Sequence, residues 1–299
     1  RSSHLAASAD ASMPNADASA SNASARARRS VESALERPPY WLVMPAAGRG
    51  TRLGADLPKQ YLMLAGRSML EWSVQTFLID AACRGLVVAL APDDAHWSQV
   101  RSRLQRVPIE AVGGAERADS VRSALQRLQA SGVGADEWVL VHDAARPCVS
   151  AAEIDALLRA VGSTADREGR LAGGLLALPM TDTLKRQRSG ACSIASQETV
   201  AREGLWRALT PQMFRLGALL AALDAALVAG RRPTDEAQAM EWQGAQRWVW
   251  APLDAADALR REAMAVGGQA TLFRRPNQAT AATPVAVPVF TPLDPVQQR

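Results

Sequence analysis

Histidine and cysteine are scarce in this chain, three of each in 299 residues. His4, His96 and His142 lie far apart, and no spacing among them suggests a metal centre or a nucleophile paired with its base. Cys83, Cys148 and Cys192 are odd in number and share no metal-ligand spacing, which fits reduced thiols in a cytoplasmic protein better than a disulfide framework. Long hydrophobic runs are missing too. The longest candidate, Leu216 to Val228, is interrupted by Asp224 and falls short of the roughly 18 residues a membrane span needs. Lysine is rarer still: only Lys59 and Lys185 are lysine among 34 cationic side chains. In so arginine-biased a chain, Lys59 suggests a place where a compact ammonium is required, the alternative being a solvated surface charge.

What is present divides into a patterned core and two ends. Residues 1–39 are dominated by Ala and Ser without a periodic apolar pattern, and residues 263–299 by repeated Pro, Thr and Ala; both are expected to be disordered extensions. The intervening residues 40–262 have the size of one α/β domain with a real core. The formal net charge of +4 lies mostly on the ends, where eight Arg face five acids, so the core is nearly neutral. A nucleic-acid groove would need clustered positive charge, and the core balance does not supply it.

The most informative stretch is Met44-Pro45-Ala46-Ala47-Gly48-Arg49-Gly50-Thr51-Arg52-Leu53, followed by Leu57-Pro58-Lys59-Gln60-Tyr61. It follows the apolar run Trp41 to Met44, so the small-residue turn is predicted at a strand's carboxyl end, where α/β proteins bind ligands. Small side chains let backbone N–H groups approach a phosphate chain, and Arg52 and Lys59 add mobile positive charge. A Walker A loop fails, because residue 53 is Leu and Lys59 follows no glycine. The dinucleotide fingerprint matches at Gly48 and Gly50 but has its third glycine at Gly54. Standing alone, the stretch would read as a glycine-rich turn with solvated cations; with the blocks that follow, it reads as equipment for a nucleoside triphosphate.

Elsewhere in the core, strand-like runs alternate with helix-like ones. Ser68 to Leu78 and Asp119 to Leu128 have helical spacing, Gly85 to Ala91 and Glu137 to Asp143 read as buried strands, and Ser150 with Glu153 forms a capping box. This alternation predicts an α/β, Rossmann-like, mostly parallel sheet with helices on both faces. Residues 171–200 break the rhythm and read as two extended stretches joined by a turn, a projecting β-arm suited to dimerisation. Asp143-Ala144-Ala145-Arg146-Pro147 ends a strand, Gly113 to Ser120 is a second small-residue turn leading into a helix, and Thr234-Asp235-Glu236 begins a third.

Taken together, these blocks resemble the 2-C-methyl-D-erythritol 4-phosphate cytidylyltransferases of the non-mevalonate isoprenoid pathway. The matching pieces also include Asp182-Thr183-Leu184-Lys185 and Gly204-Leu205-Trp206-x-Ala208-x-Thr210-Pro211-Gln212-x-Phe214. The resemblance implies a nucleotide-diphosphosugar-transferase-like fold, a homodimer, and transfer of CMP from CTP to a polyol phosphate with release of pyrophosphate and with Mg²⁺ on the triphosphate. By position it implies that Arg52, Lys59 and Arg202 are catalytic. Ala46, Ala47, Gly48, Gly50, Gly114, Ser120, Asp143 and Ala144 would bind CTP. Arg146, Thr183, Thr210 and Thr234 would bind the acceptor, with Thr183 and Arg202 reaching it from the partner subunit's arm. It implies no metal site built from protein side chains.

The scarcity of histidine and cysteine agrees with that chemistry. The attacking group is a phosphate oxygen already ionised at neutral pH, so no general base is required, and repulsion between two anions is the main barrier. Simpler roles remain open at single positions: Arg146 as an ion pair with Asp143, and Thr234 as a helix N-cap. One departure from the family stands out. Its usual lysine after the Thr-Asp-Glu helix is replaced at that spacing by Ala258, which leaves Arg247, Arg260 or Arg261 as substitutes near an expected strand at Trp248 to Trp250. Ribitol 5-phosphate is the nearest rival acceptor, and a nucleotide-binding homologue of reduced activity is the rival of another class.

Overall fold

The computed structural model describes residues 37–48, 57–168, 172–187, 196–245 and 248–252. Along the chain the strands are β1 (Tyr40–Pro45), β2 (Met63–Leu64), β3 (Arg67–Ser68), β4 (Cys83–Leu90), β5 (Ile109–Val112), β6 (Trp138–Val141), β7 (Gly173–Pro179), β8 (Leu184–Gln187), β9 (Ser196–Val200), β10 (Trp206–Arg215) and β11 (Trp248–Pro252). The helices are α1 (Met69–Leu78), α2 (Trp97–Arg101), α3 (Arg117–Ala130), α4 (Ala151–Glu168), α5 (Leu216–Val228) and α6 (Glu236–Trp242).

Seven strands form one sheet in the order β11-β7-β10-β6-β1-β4-β5. The pairs β1–β4, β1–β6, β4–β5 and β11–β7 are parallel, and β10 runs antiparallel to both its neighbours. The reason lies in the strands themselves. In β1, Leu42 and Met44 enter one buried cluster with Leu70, Val74, Phe77 and Leu157, while Val43 enters another with Val121, Leu125, Leu219 and Met240. A strand apolar on both faces is satisfied only between two layers of helices. The predicted α/β fold with helices on both faces is therefore the observed one.

Helix starts follow the local sequence. Ser68 and Glu71 form a reciprocal capping box on α1, and Ser150 and Glu153 do the same before α4. At α6 the N-cap is Asp235, whose carboxylate accepts from the Gln238 N–H; Thr234, for which a cap was the simpler alternative, lies one residue earlier.

Residues 171–200 divide differently from the expected single arm. The run Gly173–Pro179 is buried almost throughout and becomes β7 inside the main sheet, whereas the polar, exposed β8 pairs only with β9 in a separate two-stranded ribbon. Burial decides it: an apolar run cannot project into water. Strand β10 was not expected at all. A register shift between Ala208 and Gln212 accommodates Pro211, which otherwise argues against a central strand. Strand β11 falls where Trp248 to Trp250 were expected to supply one.

Candidate active site

The carboxyl ends of β1, β5 and β6 meet at one side of the sheet, where β1 lies between β4 and β6 and the chain order reverses. This is the switch-point crevice that α/β sheets use for ligands. A cavity of about 430 Å³ opens there, lined by the turn Pro45 to Gly48, by Lys59 and Gln60, by Gly114 to Arg117 with Ser120, and by Asp143 to Cys148.

The turn after β1 is held from two sides. Its Ala46 N–H donates to the Ala89 carbonyl at 2.8 Å, and the buried Gln60 amide donates to the Ala46 carbonyl at 2.6 Å. Tyr61, itself buried, donates its hydroxyl to Asp94 at 2.7 Å. The short Lys59–Tyr61 turn is thus anchored through its second and third residues, and its first, Lys59, stands exposed at the cavity.

The second small-residue turn needs its glycines for space. A Cβ on Gly113 would stand 2.3 Å from the Ala47 Cβ, and one on Gly114 would stand 2.3 Å from the Asp119 Cβ. Neither obstacle is the far end of a flexible chain, so the two turns can approach only with glycine present. Ser120 closes this turn: its hydroxyl accepts from the Gly114 N–H at 3.1 Å and donates to the Glu116 carbonyl at 3.2 Å.

Charge gathers on the third side. Asp143 Oδ1 accepts from Arg117 Nε at 2.9 Å and Oδ2 from Arg146 Nε at 2.7 Å, so the expected pairing of Asp143 with Arg146 is present. Arg117 also forks onto Glu236, with its two terminal nitrogens 2.6 and 3.1 Å from the two carboxylate oxygens. Burial raises the Asp143 carboxyl, but the guanidiniums of Arg117 and Arg146 outweigh it and hold the group at about 2. Burial pushes Glu236 up from the ordinary carboxylate range against the pull of Arg117. Arg117 is raised further: burial opposes its charge, but Glu236 and Asp143 more than compensate.

The residues expected in the site fall into three groups. Ala46, Ala47, Gly48, Lys59, Gly114, Ser120, Asp143, Ala144 and Arg146 all line the cavity. Buried Thr210 adjoins it, its hydroxyl 3.5 Å from the Asp143 N–H. Thr183, Arg202 and Thr234 do not line it. Thr183 and Arg202 flank the β8–β9 ribbon, where the Arg202 guanidinium donates to the Thr181 carbonyl, and the exposed Thr234 precedes α6. Gly50 and Arg52 lie outside the described residues, as do Arg247, Arg260 and Arg261.

Sequence reasoning missed Arg117, Glu236 and Gln60 as parts of the site. Each sits inside a block that drew attention, so a charge or amide left without a role was the available signal. What the sequence does not carry is the pairing, since Arg117 and Glu236 are 119 residues apart.

For a divalent ion, the two carboxylates lining the cavity are already committed. Glu116 caps α3 and Asp143 holds two guanidiniums. No group of three His, Cys, Asp or Glu side chains suited to a metal occurs among the described residues. This donor set fits an ion that would be carried chiefly on phosphate oxygens and water, the usual habit of Mg²⁺.

Residues 40–252 match the family described as 2-C-methyl-D-erythritol 4-phosphate cytidylyltransferase. The protein of that name from Pseudomonas paraeruginosa is 52% identical over 208 residues, covering 69% of this chain and 85% of the relative. That from Pseudomonas fluorescens strain SBW25 is 51% identical over 211 residues, covering 69% and 84%. Among solved structures, a 4-diphosphocytidyl-2C-methyl-D-erythritol synthase superposes with a TM-score of 0.60 at 33% identity, covering 73% of this chain and 91% of the other. The 2-C-methyl-D-erythritol 4-phosphate cytidylyltransferase of Francisella tularensis does so with a TM-score of 0.59 at 31% identity, with the same coverage of 73% and 91%.

Proposed function

The chain belongs to the 2-C-methyl-D-erythritol 4-phosphate cytidylyltransferase family, and we propose that it catalyses the corresponding reaction, CMP transfer from CTP to 2-C-methyl-D-erythritol 4-phosphate. One observation carries the reading: the two glycine turns, Lys59 and the Asp143 pair converge on a single cavity at the switch point of the sheet. An oxygen of the acceptor phosphate attacks the α-phosphorus of CTP, a new P–O bond forms, the α–β bridging bond breaks, and pyrophosphate leaves with that bond's electrons.

The chain's contribution is position and charge. Backbone N–H groups of the two turns hold the nucleotide, and the Gly114 to Ser120 turn offers backbone groups that can read the cytosine edge. Lys59 lies free of any ion pair among the described residues, so its charge is available to the phosphates. By the resemblance, Arg52 is the second cation that meets the phosphates. A divalent ion on the triphosphate supplies further charge neutralisation. Asp143, Arg146 and Thr210 border the acceptor's place. Thr183 and Arg202 complete it from the partner subunit of a homodimer, and Thr234 adds a contact from the turn before α6. Three cysteines with no disulfide or metal-ligand spacing suit a cytoplasmic enzyme.

Pyrophosphate release measured with CTP, UTP and ATP, each against 2-C-methyl-D-erythritol 4-phosphate and ribitol 5-phosphate, tests the proposal. CTP with the methylerythritol acceptor is expected to be fastest, because a site built for the exocyclic amine of cytosine leaves an acceptor unpaired against uracil, at a cost of about 1 to 3 kcal/mol. Equal turnover with UTP removes the cytidylyl assignment, and faster turnover of ribitol 5-phosphate reassigns the acceptor.

A further inference from the structure

The Arg117–Glu236 pair touches the cavity through one partner only. Arg117 lines it, whereas Glu236 is 1% exposed and lies behind Arg117 in the first turn of α6. Fastening α6 does not explain this carboxylate, because the helix is fixed without it. Gln212 donates to Asp235 at 2.9 Å and accepts from the Ala237 N–H at 2.9 Å, and Asp235 caps the helix. Keeping a carboxylate ionised in so dry a place is costly, and a buried ion pair seldom repays that cost in stability. What Glu236 does is occupy both terminal nitrogens of the Arg117 guanidinium. A planar fork held at two points cannot turn about its own axis, and its Nε is left aimed at Asp143 Oδ1.

We propose that Glu236 is a positioning residue, which acts through Arg117 to fix the Asp143 carboxylate at the edge of the cavity. The other anchor of Asp143, Arg146, comes from the same loop only three residues away and is 44% exposed, so it moves with the loop it would have to restrain. The relay from α6 through α3 to the end of β6 supplies a reference from outside that loop. This inference rests on the cytidylyl-transfer reading.

A double-mutant cycle on kcat/KM for the acceptor tests it in the full-length chain, using Glu236→Gln, Asp143→Asn and the double variant. Glu236→Gln is expected to cost about tenfold or more in the wild-type background and less than about twofold once Asp143 is already Asn, because a residue acting through Asp143 has nothing left to position. Equal losses in both backgrounds would overturn the inference. Arg117→Lys, which keeps the charge and removes the fork, repeats the cycle should Glu236→Gln not fold. If neither variant folds, by circular dichroism, the pair is structural and the inference fails. Wild-type protein that released no pyrophosphate would overturn the cytidylyl reading, and this inference with it, whereas an active wild type with additive losses sinks the inference alone.

Discussion

Lys59 and Asp143 mark opposite electrostatic requirements within one cavity. Lys59 stands at the end of a turn whose next two side chains are buried and hydrogen-bonded, so its backbone is fixed while its ammonium is free to meet phosphate. Lys59→Ala is expected to lower turnover about a hundredfold or more with little change in thermal stability, since it removes transition-state charge stabilisation and no core packing. Near-normal turnover by a folded variant would refute the role. Asp143 carries a pH signature. Its carboxyl is held at about 2 against the ordinary value of 3.8, so its ionised form is favoured by folding. That contribution is complete above pH 3.8 and is lost as pH falls through about 2. The stability difference between wild type and Asp143→Asn, followed by urea unfolding, should stay level from neutral pH to about 4 and shrink below it. A difference that is unchanged at pH 2.5, or that grows with acid, would show that the ion pairs are not what holds the group.

At the scale of elements, what could be read from the sequence was set by whether a signal is local. The small-residue turn as far as Gly48, the capping boxes at Ser68 and Ser150 and the apolar runs of β1, β4 and β6 announce themselves within a few residues, and each stands where it was expected. Strand β10 did not, because Pro211 and the charges of Arg207 and Arg215 hide a strand whose inward side chains are buried only by distant partners. The division of residues 171–200 was legible in part: the apolar run Gly173 to Pro179 was there to be read, but nothing local tells that Gly173 will let β7 pack against Met213 and Phe214. A Cβ there would stand 2.2 Å from the Met213 carbonyl oxygen. Gln212 is the joint between β10 and α6, and it supplies a test at this scale. Gln212→Leu strips the Ala237 N–H of its acceptor and Asp235 of a donor, and should destabilise by about 2 kcal/mol or more. The turn carrying Thr234 should loosen with it, raising the acceptor KM more than the CTP KM in steady-state kinetics. A rise confined to CTP would place Thr234 away from the acceptor.

The whole molecule poses the question of what the β8–β9 ribbon holds. A lone two-stranded ribbon is marginal in water, and this one is polar and exposed, with half-exposed Leu205 and Trp206 near its base. Thr183 and Arg202 flank it and stay clear of their own subunit's cavity lining, which is the arrangement expected if the arm serves a second copy of the chain. The consequence can be measured by mixing two inactive proteins. In a heterodimer of Lys59→Ala with Arg202→Ala, one site would combine both defects and the other neither, provided that Arg202 acts across the interface. Random exchange of equal amounts makes about half the dimers mixed, so activity should recover to roughly a quarter of wild type. Recovery should follow the rate of subunit exchange, read by mass spectrometry of differently labelled chains. Exchange without recovery would place Arg202 in its own subunit's site or outside catalysis, and a monomeric chain by sedimentation would remove the shared site altogether.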